Sequence, residues 1–380
     1  LYHLLGEIEQ LLFLINLRLA HTLSMYKICA IMSQPIKGRG AAQNPKNRFT
    51  DTDLKYEIDS ETGQLKKPKT QLLKDHTAGI ISRNKSPDIP FDVGLNPYRG
   101  CEHGCVYCYA RPTHEFLGMS AGLDFESKIV VKYEAPDLLK KTLTNQNWIP
   151  QTLVMSGVTD PYQPIEKELE ITRRCVEILA DCSHPLVIIT KNYLVTRDID
   201  HLKKLAEIGA VRVTISLTSL RSEITNVMEP RTSRPARRLK AIEELTKARI
   251  PVNVNIAPII PGLTDDEIVP MMEAAADAGA SSMAYTILRL PYGVKDIFSK
   301  WLEDHFPDRK AKVLNRIMRL KDGQLNRTEF GERFQSVGPY ANQIKQLINI
   351  HKKRLGLDEP VPKLNRTKFK RPVNGQLNLF

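Results

Sequence analysis

Short apolar runs, rich in β-branched residues, alternate along the chain with segments whose apolar residues recur at helical spacing. The strand-like runs cover residues 128–132, 152–155, 186–190, 211–217, 252–257 and 283–288. The helix-like segments cover residues 135–143, 167–180, 197–208, 235–248 and 265–278. Because buried strands that alternate with helices form βα units, this pattern predicts an α/β fold with a parallel sheet.

About six such units, joined by right-handed crossovers, are expected to curve into a partial (β/α)6 TIM-like barrel. Active sites of such barrels lie at the carboxyl ends of the strands, so polar residues that follow a strand are candidates for function. We divide the chain into an apolar extension that need not be native, 1–33, a basic flexible arm, 34–90, the core, 91–300, a helical extension, 301–357, and a basic tail, 358–380.

Composition and charge narrow the class of protein. The chain is 42% hydrophobic and 26% charged, which is ordinary for a globular protein. No apolar run, including the interrupted one at the amino terminus, reaches the ~20 residues that span a bilayer, so we expect no membrane partner. The net charge of +12 is uneven, since residues 351–380 carry eight Lys and Arg against two acids. Such a tail attracts polyanions such as nucleic acid, although a merely solvated tail would have the same composition.

The cysteines indicate a metal site rather than a disulfide framework. There are six, and three of them, Cys101, Cys105 and Cys108, form a C-x3-C-x2-C pattern. This usage is typical of a reducing, cytoplasmic compartment. Three thiolates can hold three corners of an iron–sulfur cube, which leaves one iron open for a ligand. A zinc site completed by His103 or His114 remains an alternative. Cys175 and Cys182 are expected in the core.

The pattern C-x3-C-x-aromatic-C resembles the signature of the radical S-adenosylmethionine (SAM) superfamily. The resemblance implies a [4Fe–4S] cluster on the three cysteines, SAM bound at the open iron, and Tyr107 packed near the adenine. It further implies that one electron, from a donor such as a flavodoxin or ferredoxin, cleaves SAM to methionine and a 5′-deoxyadenosyl radical, which abstracts a hydrogen atom. The surrounding Tyr-Arg-Gly-Cys and Tyr-Cys-Tyr-Ala-Arg sequences are similar to a bacterial family in the branch of spore photoproduct lyase.

Polar residues that follow the predicted strands are candidates for binding SAM. Ser156, Thr159 and Asp160 follow the second strand, where similar enzymes bind the amino group. Lys191 follows the third, where the family binds the methionine carboxylate, and Ser216 ends the fourth. Arg231 suits a carboxylate because its guanidinium can bind two oxygens at once. Each has a structural alternative: a capped turn, a solvated lysine, an ordinary strand-end serine or the basic face of a helix.

Two further features bear on the substrate. Spore photoproduct lyase uses a cysteine hydrogen donor near the second strand, but residues 154–162 contain none, so a tyrosine such as Tyr285 is a candidate donor instead. The carboxyl terminus resembles the short peptide that binds the bacterial sliding clamp, through Gln376, Leu377, Leu379 and Phe380.

These observations favour a radical SAM enzyme, of the lyase or transferase class, that repairs or modifies nucleic acid. The alternative is a DNA- or clamp-associated iron–sulfur protein whose cluster is structural or redox-sensing. A radical SAM enzyme that acts on a protein or a small molecule is the third hypothesis. Cleavage of SAM separates the second hypothesis from the other two.

Overall fold

The computed structural model describes residues 35–50 and 68–372. Its strands are β1 Gln71–Lys74, β2 Ile81–Arg83, β3 Val93–Leu95, β4 Tyr98–Arg99, β5 Lys128–Val131, β6 Leu153–Met155, β7 Leu186–Thr190, β8 Val211–Leu217, β9 Val252–Ile259 and β10 Ser282–Ile287. Its α-helices are α1 Leu123–Ser127, α2 Ala135–Thr144, α3 Glu166–Leu169, α4 Ile171–Asp181, α5 Ile199–Glu207, α6 Ser222–Met228, α7 Pro235–Lys247, α8 Ile268–Asp277, α9 Val294–His305, α10 Pro307–Leu320 and α11 Pro339–Arg354.

The main sheet has the order β10-β9-β8-β7-β6-β3-β2. Strands β3 and β6 to β10 are parallel to their neighbours, and β2 pairs antiparallel with β3 at one edge. The other edge is β10, and the sheet ends there. Six parallel strands connected through helices confirm the α/β fold with a parallel sheet of the radical SAM type.

One predicted strand lies outside the main sheet. Residues 128–131 do form β5, but this strand pairs with β1 and β4 in a separate three-stranded sheet. Its expected place in the main sheet is taken by Val93–Leu95. That strand has only three residues, and its middle one is Gly94, whose Cβ would lie 3.0 Å from Ser82 Oγ. A run of three residues whose central glycine lies against a neighbouring strand is too short to show an apolar periodicity.

The amino-terminal arm was expected to be flexible, and its described parts are folded instead. Strands β1 and β2 both belong to it. Arg39 is buried and donates from Nη1 to the Glu126 carbonyl at 2.6 Å. The amides of Gly40 and Ala41 donate to the Glu126 carboxylate at 2.9 and 2.8 Å. Polar groups in the described parts of the arm make hydrogen bonds to the core, and composition alone does not distinguish such a segment from a disordered one.

Side chains on the main sheet alternate between two faces. One face packs beneath the helices and forms the larger hydrophobic core. The other faces the interior of the barrel and is polar at its centre. There Thr214, Asn253 and Ser282 share one level, and Ser216 and Asn255 share the next. Ser282 Oγ donates to Asn253 Oδ1 at 3.0 Å, and Asn255 Oδ1 is buried without a hydrogen-bond partner in the described part.

Between α11 and residue 372 the chain runs without helix or strand along the side of the barrel where the strands begin. The Asn365 amide donates to the Gly209 carbonyl at 2.9 Å, and the Lys370 amide to the Cys182 carbonyl at 2.8 Å. These carbonyls follow helices and precede strands, so they mark the amino ends of the sheet.

Several predictions fall on the segments that flank the described chain. The clamp-like residues Gln376, Leu377, Leu379 and Phe380 and the extension 1–33 lie outside the described residues. Within 35–50 and 68–372, no helix has both the length and the apolarity needed to cross a membrane.

Candidate active site

The three clustered cysteines lie in the loop that follows β4. Cys101 and Cys105 are buried, Cys108 is partly buried, and all three are free thiols. Gly100 and Gly104 adopt left-handed conformations, with φ of 81° and 69°, which let the loop fold back on itself. Burial raises the pKa of the Cys105 thiol, and the nearby charges of Glu229, Cys108 and Cys101 raise it further. The three thiols therefore lie close enough for the charge of one to affect the pKa of another.

Buried charges hold this loop in place. The Arg111 Nε donates to the Cys105 carbonyl at 2.9 Å, and Nη1 donates to the carbonyls of Ala121 and Gly122 at 3.2 and 3.0 Å. Nη2 pairs with the Glu126 carboxylate, and neither side chain is exposed. The Cys105 carbonyl lies between the first and third cysteines in the chain. By binding this backbone atom, Arg111 stabilises the conformation of the whole loop and not the position of one thiol.

The donor set fits an iron–sulfur cube better than zinc. In residues 35–50 and 68–372, no three or more His, Cys, Asp or Glu side chains form a group suited to one metal ion. His103 Nδ1 lies 3.4 Å from the Asp160 carboxylate, and His114 Nε2 lies 2.9 Å from the Lys128 carbonyl. Both imidazoles thus have protein partners. The three neighbouring thiols do not converge on a single metal ion, so they suit three separate irons of a cluster. Binding to those irons would deprotonate the thiols.

Lys191 points toward the cysteine loop from the carboxyl end of β7. Its Nζ lies 5.8 Å from the centre of the Tyr107 ring and 3.4 Å from the Ala257 carbonyl. Burial lowers the pKa of its ammonium, and the charge of Cys105 acts in the opposite direction. It makes no ion pair in the described part of the chain. A partly buried cation beside the thiols can bind an anionic group of a ligand, which is the role that the sequence predicts for Lys191.

Tyr107 is held by a buried carboxylate that sequence reasoning missed. Its hydroxyl donates to Glu229, which also accepts from Thr218 Oγ1 at 2.8 Å and pairs with Arg238. Burial raises the pKa of Glu229, and Arg238 opposes the rise. The ring packs in an apolar cluster that includes Ile260. This network fixes the ring's orientation beside the thiols.

The residues after β6 have different environments. Asp160 accepts from the amides of Tyr162 and Lys191 at 2.9 and 2.8 Å and from Thr190 Oγ1 at 2.7 Å, besides its contact with His103. Thr159 Oγ1 donates to the Gly100 carbonyl at 2.6 Å. These two candidates are occupied by bonds within the protein. Ser156 is partly exposed and makes no side-chain hydrogen bond within the described chain, so its hydroxyl is available to a ligand.

Arg231 and Ser216 also differ in availability. Arg231 Nη2 lies 3.0 Å from the Glu102 carboxylate, and its amide donates to the His103 carbonyl at 3.2 Å. It therefore ties the segment after β8 to the cysteine loop. Ser216 is buried and faces the barrel interior beside Asn255, with no side-chain hydrogen bond in the described residues.

The predicted donor Tyr285 faces away from the site. It is in register with Ile256, and its ring packs with the hydrophobic core beneath the helices. Side chains alternate between the two faces along a strand. Ala284 is in register with the inward-facing Asn255, so the neighbouring Tyr285 lies on the opposite face. The exposed aromatic residue of the loop is Tyr109, directly after Cys108, with 57% of its surface accessible.

Comparisons with known proteins identify the family to which the chain belongs. The family model for the radical SAM superfamily matches residues 95–275. An uncharacterized protein of Mycobacterium tuberculosis is 34% identical over 230 residues, which are 59% of this chain and 68% of the relative. An uncharacterized protein of Methanocaldococcus jannaschii is 28% identical over 248 residues, which are 65% of this chain and 88% of the relative.

Among solved structures, the fold is similar to spore photoproduct lyase complexed with dinucleoside spore photoproduct. The TM-score is 0.52 at 16% identity, over 75% of this chain and 79% of that one. At this identity the similarity is one of fold. The family model, the mycobacterial relative and the three-cysteine loop together show that the chain belongs to the radical SAM superfamily, whose enzymes use a [4Fe–4S] cluster and SAM.

Proposed function

We propose that this enzyme uses SAM-derived radical chemistry to repair or modify nucleic acid in the cytoplasm. The observation that carries the cofactor assignment is the position of Lys191, a partly buried cation without an ion pair in the described chain, against Tyr107 and the cysteine loop. The cluster and SAM, when bound, supply a 5′-deoxyadenosyl radical that abstracts a hydrogen atom from the substrate. The protein's own part is to bind, orient and shield the reactants.

In this proposal Cys101, Cys105 and Cys108 hold three irons, and Lys191 binds the methionine carboxylate of SAM. Ser156 and Ser216 have free hydroxyls for the amino group and the ribose. The engaged candidates have positioning roles. Asp160 accepts the amide of Lys191 and so fixes the start of the segment that carries the cation. In the same way, Arg231 and Thr159 fix the cysteine loop.

Three features support a nucleic-acid substrate. The net charge of +12 favours a polyanion. The fold is similar to that of spore photoproduct lyase, which has been solved in complex with dinucleoside spore photoproduct. The barrel interior has amide and hydroxyl groups at Asn253, Asn255 and Thr214, which can hydrogen-bond to the edge of a base. The absence of a cysteine from residues 154–162 points to a hydrogen donor different from that of the lyase.

The carboxyl terminus supports a partner on the opposite side of the enzyme. The described residues 365–370 are bound at the amino ends of the strands, away from the cysteine loop. A sliding clamp bound by Gln376, Leu377, Leu379 and Phe380 would therefore leave the barrel's catalytic end open. The electron would come from a separate donor such as a flavodoxin or ferredoxin.

The test is anaerobic reconstitution with iron and sulfide, followed by SAM, dithionite and perdeuterated DNA. We expect 5′-deoxyadenosine in the wild type, with deuterium transferred into it from the DNA. The Cys105→Ala variant should lose this product and most of its iron. Cys182→Ala is the matched control, because Cys182 is a buried core cysteine remote from the loop in sequence. A filled cluster without SAM cleavage would instead support the structural or redox-sensing iron–sulfur protein.

A further inference from the structure

An arginine beside the site has no hydrogen-bond acceptor in the described part of the chain. Arg289 follows the end of β10, and no hydrogen bond or ion pair engages its guanidinium within residues 35–50 and 68–372. Its buried Nε has no acceptor. Burial lowers the pKa of this guanidinium, and the positive charge of Arg333 lowers it further. A partly buried cation without an acceptor costs free energy, which an anionic ligand would recover.

A second cation lies near the first. Lys321 is buried, and its Nζ donates to the Gln335 carbonyl at 2.7 Å. Burial lowers its pKa to about 8, and the charges of Arg289 and Arg327 contribute. More than one cation therefore contributes positive charge to this region.

The acids of this region are already engaged. Asp88 lies 2.6 Å from Arg333 Nε and accepts the Gly331 amide at 2.7 Å. Glu332 lies 2.6 Å from Arg327 Nη2. In the described part of the chain, neither carboxylate pairs with Arg289. The Asp88 charge acts on the pKa of Arg289 in the raising direction, but Asp88 makes its direct contacts with Arg333 and Gly331, so the guanidinium donors of Arg289 remain for a group from outside the protein.

Two exposed aromatic rings, Phe334 and Tyr109, lie near this charge. The Phe334 ring centre lies 4.3 Å from the Arg289 guanidinium carbon and 5.3 Å from that of Arg333. Phe334 is 44% exposed, and the Tyr109 phenol is among the groups that act on the pKa of Arg289. Exposed aromatic rings beside cations bind successive bases and the phosphates between them in single-stranded nucleic acids.

The cluster lies at the open side of the barrel. Asp88 belongs to the turn after β2, and Arg289 follows β10, so the contacts through Arg333 and Phe334 connect the two edges of the main sheet. Tyr109 directly follows Cys108, so the same surface reaches the cysteine loop. A phosphate bound here would hold its nucleotide beside the proposed site of radical formation.

We infer that Arg289 binds a backbone phosphate of a single-stranded or unpaired segment of nucleic acid, with Phe334 and Tyr109 stacking on the flanking bases. The inference rests on the proposed function, since it names the residues that would recognise that substrate. A phosphodiester fits better than a carboxylate ligand because the aromatic rings then have bases to contact.

The test measures binding of a fluorescent 12-residue oligothymidylate to the anaerobically reconstituted enzyme over a range of salt concentrations. Arg289→Gln should bind about tenfold more weakly, and the slope of log affinity against log salt should decrease by about 0.7–1. Arg309→Gln is the matched control, because Arg309 is an exposed arginine near the start of helix α10, about 16 Å along the helix axis from Leu320 at its other end. A methylphosphonate oligonucleotide, which lacks the phosphate charges, should bind the wild type more weakly.

Each outcome discriminates. If the wild type binds the oligonucleotide and Arg289→Gln has the same affinity and salt slope, this inference is overturned and the proposed function stands. No binding or deuterium transfer by the wild type would overturn the proposed function itself. If Arg289→Gln does not fold, Arg289→Lys keeps the charge and should retain the salt slope with about threefold weaker binding. Equal wild-type affinity for the charged and methylphosphonate oligonucleotides would also contradict a phosphate site.

Discussion

Arg111 Nε donates a hydrogen bond to the carbonyl oxygen of Cys105 at 2.9 Å. The two residues are six positions apart, yet the arginine is buried and its charge is balanced by Glu126. The bond connects the cysteine loop to a buried ion pair that also accepts the amides of Gly40 and Ala41. The conformation of the loop is therefore set by the protein and does not depend on iron alone.

Replacing Arg111 by Met should destabilise the protein by about 3–5 kcal/mol, because it leaves the Glu126 carboxylate buried without its cation. Iron retained after reconstitution should also fall. Urea unfolding and iron analysis measure the two effects. The control is Arg366→Met, at an exposed arginine without an ion pair in the described residues. Wild-type stability in Arg111→Met would show that the pair does not support the loop.

Replacing Lys191 by Met should weaken SAM binding by about 10–100-fold, the range expected for a lost charge-assisted hydrogen bond. The iron content should remain near that of the wild type, since Lys191 is not among the thiol ligands. Equilibrium binding of SAM to the reconstituted enzyme measures the effect. Lys203→Met, at an exposed lysine, provides the control. Unchanged SAM affinity in Lys191→Met would remove Lys191 from the cofactor site.

The buried His184 makes the stability of the fold depend on pH. Trp148 Nε1 lies 3.2 Å from His184 Nε2, so this nitrogen accepts, and Nδ1 lies 3.2 Å from the Pro185 carbonyl, so it donates. The neutral ring satisfies both bonds. Burial lowers the pKa of His184 to about 4, below the 6.5 of an unfolded histidine. As pH falls from 6.5 towards 4, only the unfolded state gains this proton, and stability is lost.

The His184→Gln variant should therefore show a smaller loss of stability on acidification. Between pH 6.5 and 4 the difference should reach about 3 kcal/mol at most. Glutamine still offers an oxygen to the Trp148 indole. Urea unfolding at a series of pH values measures both proteins, and His76→Gln, at an exposed histidine, is the control. Parallel pH profiles for wild type and His184→Gln would contradict the assignment.

Arg371 holds the carboxyl-terminal segment against the barrel. Its guanidinium donates to the carbonyls of Leu143 and Trp148, at 3.1 and 3.0 Å, and to that of Asn145. In Arg371→Leu, hydrogen exchange at the Lys370 amide should accelerate about tenfold or more, because these charged bonds contribute roughly 1–3 kcal/mol. Core strands should keep their protection. Exchange mass spectrometry, with Arg366→Leu as the control, measures this, and unchanged exchange at Lys370 would show that Arg371 does not anchor the segment.

Much of the core was predictable because its signals are local. The runs 186–190 and 211–217 coincide with strands β7 and β8. They are continuous and apolar, so each strand is evident from its own residues. The segment 167–180 was predicted as one helix, whereas the structure breaks it at Glu170, with φ of 50°. A left-handed residue between two helical turns leaves the apolar spacing on either side intact, so periodicity does not detect it.

The sequence by itself determined the βα alternation and the C-x3-C-x2-C spacing, because both depend on residues close together in the chain. Only the tertiary structure decided which polar groups are free. Asp160, Thr159 and Arg231 are occupied by partners from other segments, while Lys191 and Arg289 have no ion pair in the described chain. The physical reason is that a group can bind an anion only where folding brings its charge no ion-pair partner, and the residues that engage Asp160, Thr159 and Arg231 lie tens of residues away in the chain.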